Sequence, residues 1–118
     1  MIRKNVLKAS KAPVVAHEGQ GQIDFVRPFC DGDFDTALSF VDYVEIPPGS
    51  SIGVHRHGNN EEIYFIVEGT GAMVTNDETY RVETGDLIVN RRNWSHGLEN
   101  DTDQRLRVLV WEVAGGEG

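Results

Sequence analysis

From about residue 21 the chain alternates short apolar runs with clusters of turn residues. The runs are "QIDFVRPF" (22–29), "ALSFVDYVEI" (37–46), "EEIYFIVEG" (61–69), "GAMVTN" (71–76), "ETYRVE" (78–83), "DLIVN" (86–90) and "QRLRVLVWEV" (104–113). Between them stand "DGD" (31–33), "PPGS" (47–50), "HGNN" (57–60), "NDE" (76–78), "TGD" (84–86) and "ENDTD" (99–103). Short strand-like runs punctuated in this way predict an all-β sandwich or barrel. No segment carries a 3.6-residue apolar period, so no helix longer than about two turns is expected.

Strand faces follow from the period of two. In "EEIYFIV", Ile63, Phe65 and Val67 share one face and Glu62, Tyr64 and Ile66 the other. In the last run Leu106, Val108 and Val110 oppose Leu109, Trp111 and Val113. Apolar residues on both faces mean that these strands lie between layers or that a second subunit covers one face. For Trp111 the second subunit is favoured, and a homodimer is expected.

Composition narrows the class. A length of 118 residues is one domain, with an N-terminal arm of about 1–20 and a Gly-rich end of about 114–118 expected to fray. A net charge of -8, from 19 acidic and 11 basic residues, argues against nucleic-acid binding. No apolar run approaches the roughly 18–20 residues of a membrane helix. The start, "MIRKNVLKASKAPVVAHEG", lacks the apolar core of a signal peptide. With the single Cys30, these features lead to the expectation of a cytoplasmic protein with no membrane partner.

The chemistry is concentrated in "GSSIGVHRHGNNEEIYFIVEG" (49–69). His55 and His57, at i and i+2 of an extended segment, project to one side. Glu62 follows across a turn on the next strand, and His96 comes after "NRRNWS". Three imidazoles and a carboxylate suit Mn, Fe, Co, Ni, Cu or Zn and leave two positions open on an octahedral ion. An isolated His-x-His pair is also common at a surface, so the spacing of the whole set decides. Glu61 competes with Glu62, but the period of two puts Glu61 on the face of Ile63.

The order Gly49, His55, His57, Glu62, Gly69 resembles the first motif of the cupin superfamily at every specified position. Gly85, His96 and Asn100 resemble its second motif, with Arg91 and Asn93 in place of the usual Pro and Gly. Asn tolerates a left-handed backbone, so Asn93 can serve that turn. The fifteen residues between the motifs resemble those of compact single-domain cupins.

The resemblance implies an antiparallel jelly-roll barrel in which His55, His57, Glu62 and His96 hold one divalent transition metal, Mn or Fe favoured. Gly49, Gly69, Gly85 and Asn93 would form the turns around it. It further implies an enzyme acting on a small organic molecule. The chemistry expected of it is that of an oxygenase (dioxygenase-like) or of an isomerase, cyclase or lyase. The alternative is a non-catalytic module binding a sugar or other metabolite. Phe40 and Tyr64, from their faces, and Trp94, beside His96, are the pocket candidates. No catalytic side chain beyond the ligands is assigned.

Other signals are weaker. "DGDFD" (31–35) lacks the Gly and Glu of a calcium loop, and "GTG" (69–71) opens no helix. His17 is expected to have no partner nearby and to be exposed. Cys30 reads as a small buried or edge residue, and Ser51 and Ser95 lack an orienting acid for a Ser–His pair.

Overall fold

The computed structural model describes residues 2–116. Its ten strands are β1 (Ala12–Val14), β2 (Ile23–Cys30), β3 (Leu38–Ile46), β4 (Ser51–Arg56), β5 (Asn60–Glu68), β6 (Thr70–Thr75), β7 (Glu78–Glu83), β8 (Leu87–Asn90), β9 (Ser95–Glu99) and β10 (Leu106–Ala114). There is no helix among the described residues. One antiparallel sheet runs β1-β2-β3-β10-β5-β8 and the other β4-β9-β6-β7. They enclose Ile46, Ile66, Met73, Leu98, Leu106 and Val108, all at most 1% exposed.

Register explains the site's position. Across the six-stranded sheet the inward rows are Val44–Val108–Ile66, then Asp42–Val110–Tyr64–Ile88, then Phe40–Glu112–Glu62–Asn90. The first row is wholly apolar, and the third carries three polar side chains. The core therefore closes at one end of the barrel and turns polar at the other.

β4 and β9, which lie outside the seven runs visible in the sequence, bring in the histidines. Ile52 and His55 are three apart, a spacing that would put them on opposite faces of a regular strand. Opposite Leu98 and His96 on β9, β4 has one extra residue between Ile52 and His55. This bulge turns His55 inward beside Ile52.

The turns are tight where the motif spacing requires it. Gly69 (φ 107°) abuts β10, where a Cβ would sit 2.9 Å from the Arg105 carbonyl oxygen. Asn93 has φ 65°, the left-handed geometry that Asn accepts in place of Gly. Asn100, fully buried, donates to the carbonyls of Ile46 (2.8 Å) and Gln104 (2.7 Å) and so ties β3 to the loop before β10.

The N-terminal arm is built into the molecule from residue 12. β1 pairs with β2, and Val14 and Ala16 pack on the core. At the other end Ala114 closes β10 and the Gly115 amide donates to the Asn59 carbonyl (2.8 Å). Residues 117 and 118 of the Gly-rich end lie outside the described residues.

Candidate metal centre

His55 and His57 come from β4 and the turn after it, Glu62 from β5 and His96 from β9. One donor atom from each of the four lies within 4.8 Å of the others. His55 Nε2 is 3.0 Å from His57 Nε2, and Glu62 Oε1 is 3.0 Å from both His57 Nε2 and His96 Nε2. Adjacent ligands on bonds of about 2.1 Å at right angles would stand about 3.0 Å apart, so the cluster has the edge length of a coordination polyhedron.

Hydrogen bonds on the outer nitrogens set the tautomers. His55 Nδ1 donates to the Gly53 carbonyl (2.8 Å), and His57 Nδ1 donates to Asn60 Oδ1 (2.8 Å). Each neutral ring thus turns an Nε2 lone pair inward, toward the other ring and toward a carboxylate. Lone pairs and a negative charge gathered at one point require a cation, and the donor set fits a divalent transition ion. His96 Nδ1 and both amide atoms of Asn90 are buried without a hydrogen-bond partner among the described residues.

The acidities follow the same geometry. Burial pushes Glu62 up, but hydrogen bonds from His57, whose Nε2 donates once that ring is protonated, and from His96 outweigh it and hold the carboxyl at about 2. The hydrogen bond to Glu62 raises His57 above 6.5 against the effect of burial. Burial lowers His55 to about 4, offset in part by its bond to Gly53. Of the two β4-side imidazoles, His57 rather than His55 therefore takes up a proton in the metal-free chain.

Beside the cluster opens a cavity of about 320 Å³. Ile23, Phe25, Val44, Ile52 and Val110 give it an apolar floor. Phe40 and Tyr64 are in its wall, whereas Trp94 lies in a separate surface recess with Glu61, Val89 and Arg91. Tyr64 shares two-residue parity with Glu62 and so faces inward with it; Trp94 precedes β9 in a turn, where parity with His96 no longer holds.

Four polar wall residues were not read from the sequence: His17, Arg27, Asp42 and Glu112. Arg27 holds Asp42 through Nε (2.7 Å) and Nη2 (3.0 Å), and its guanidinium lies 4.1 Å over the Phe40 ring. Glu112 approaches His57 Nδ1 at 3.6 Å, and burial raises its pKa. Both acids were legible in phase, since Asp42 continues Val44 and Ile46 and Glu112 continues Val108 and Val110 on the inward faces. His17 is exposed as expected, but it has a partner, stacking on His55 with ring centroids 3.4 Å apart. Cys30 is exposed at the end of β2 rather than buried, and Ser51 Oγ accepts from the Gln20 amide (2.8 Å).

Comparison with known proteins agrees with this fold. Over 92 residues the chain is 28% identical to the oxalate-binding protein of Thermotoga maritima, covering 78% of this chain and 76% of that one. The crystal structure of a predicted oxalate decarboxylase from Thermotoga maritima superposes with a TM-score of 0.89 at 22% identity, over 93% of this chain and 96% of that one. The polyketide cyclase RemF from Streptomyces resistomycificus gives a TM-score of 0.80 at 20% identity, over 96% of this chain and 79% of that one. The sequence profile of the cupin domain matches residues 42–112, which include all four clustered side chains. The chain belongs to the cupin domain family.

Proposed function

We propose that this protein is a metal-dependent enzyme that acts on a small organic molecule in the cavity beside His55, His57, Glu62 and His96. The observation that carries the proposal is the convergence of those four donors at the wall of an apolar cavity of about 320 Å³. A divalent transition ion held there, Mn or Fe favoured, supplies Lewis acidity toward a substrate oxygen.

The protein's own groups favour isomerase, cyclase or lyase chemistry over an oxygenase reaction. Tyr64 and Glu112 line the same cavity as the ligands, so side chains with oxygen groups able to pass a proton border the substrate space. Phe25, Phe40 and Val110 exclude water from its apolar part, and Arg27 fixes Asp42 at its edge. The names of the similar proteins, a predicted decarboxylase and a cyclase, lie within this range.

A second reading is a non-catalytic module that binds a small metabolite, and the name of the oxalate-binding relative favours it. Metal analysis of protein purified without chelator, followed by parallel screens for oxygen uptake and for turnover of enolisable acids and ketones, separates the readings. Turnover without oxygen uptake is expected. Binding without turnover of any compound would favour the module.

A further inference from the structure

We propose that His17 is a positioning residue of the metal centre, its ring delivered by the N-terminal arm to fix the plane of the His55 imidazole. The proposal rests on the metal reading above and extends it to a segment outside both cupin motifs.

β4 is an edge strand, paired with β9 on one side only. The other side of His55 would be bare without the arm. There the Gly53 amide donates to the Ala16 carbonyl (3.0 Å) and the Ser51 amide to the Gln20 carbonyl (2.9 Å). These bonds hold β4 just before and at the start of the bulge that turns His55 inward. The approach is close enough that a Cβ at Gly53 would collide with the His17 carbonyl oxygen, and one at Gly19 with the Ser51 carbonyl oxygen. Side chains at either position would push the arm off the strand.

The arm's backbone departs from regular geometry at this point. His17 (φ 51°) and Glu18 (φ 59°) are consecutive non-glycine residues in the left-handed region, a costly arrangement that the surrounding contacts must hold. Its result is a ring laid flat on His55, 3.4 Å between centroids and 9° between planes. On its remaining sides His55 meets His57 and His96 edge to face, at 4.8 and 4.5 Å. His17 is not among the four clustered donors, so its contribution is through the ring face. Stacking and the Nδ1 bond to Gly53 together leave the His55 ring one orientation, with Nε2 toward the other ligands.

Cobalt(II) affinity, measured by competition with a coloured chelator, tests the role. His17→Asn and His17→Gly remove the ring but suit a left-handed backbone, whereas His17→Phe keeps a ring without nitrogens. The two ringless variants should bind Co(II) about 10–100-fold more weakly than wild type. H17F should bind close to wild type, and with the same visible absorption spectrum. Ringless variants that match wild type would overturn the proposal, and so would an H17F variant as weak as H17N, because the nitrogens would then be what matters. A wild-type chain that takes up no Co(II) would overturn the metal reading and this inference with it.

Discussion

His55 Nε2 and His57 Nε2 face each other at 3.0 Å while their outer nitrogens donate to carbonyl oxygens, so no proton of either neutral ring lies between them. The pair is stable only with positive charge nearby. A metal ion meets that need, and in its absence a proton on His57 does.

Proton and metal therefore compete, and the sign is fixed by His57. Its pKa is raised above 6.5 by Glu62, so protonation begins to oppose metal binding above that pH and grows as pH falls. Glu62, held at about 2, stays ionised throughout, and His55, at about 4, stays neutral until stronger acid. Metal affinity measured by isothermal titration should fall about tenfold per pH unit below the His57 pKa. A flat profile between pH 8 and 6 would contradict the assigned tautomers.

The Arg27–Asp42 pair predicts a sign reversal between single and double variants. Asp42 is 6% exposed, so Arg27→Ala strands a buried carboxylate and uncovers Phe40. The Arg27 side chain is 42% exposed, so the expected loss is about 1–2 kcal/mol in urea unfolding, below that of a fully buried pair. Arg27→Ala combined with Asp42→Ala should recover part of it, because the unpaired charge is gone. A double variant less stable than the single one would mean that Asp42 does not depend on Arg27.

The outer face of the six-stranded sheet carries two apolar rows, Val41–Trp111–Ile63–Val89 and Tyr43–Leu109–Phe65–Leu87. Leu87 and Val89 are 66% and 49% exposed, and no charged residue interrupts either row. Lys11 lies over the buried Tyr43 at one end, so two copies, each with net charge -8, can approach most readily through the open end of the face at Leu87 and Val89. Sedimentation should give twice 13.1 kDa at micromolar concentration, and Trp111→Glu should shift the mass to a single chain. A wild-type monomer would contradict this use of the face.

How much was readable in advance depended on what each strand carries. β2, β3, β5 to β8 and β10 repeat apolar residues at period two, so their packing is written in the sequence. β4 and β9 spend inward positions on His55 and His96, and β4 breaks its period at the bulge, so neither showed as an apolar run. The motif spacing nonetheless singled out all four clustered side chains. Contacts made across long separations left no such mark. The stacking of His17 on His55 depends on two left-handed residues and on the missing side chains of Gly19 and Gly53, which only the folded arm brings together.

Metal content per chain in Glu61→Ala and Glu62→Ala proteins, prepared side by side without chelator, tests the centre most directly. Glu62 is 6% exposed and 3.0 Å from two imidazoles, whereas Glu61 lines a surface recess with Arg91 and Trp94. Both variants should fold, since the apolar rows beneath the site remain. Plasma mass spectrometry should find about one ion per chain in wild type and Glu61→Ala and most of it lost in Glu62→Ala. Equal occupancy in the two variants would contradict a metal centre built on Glu62.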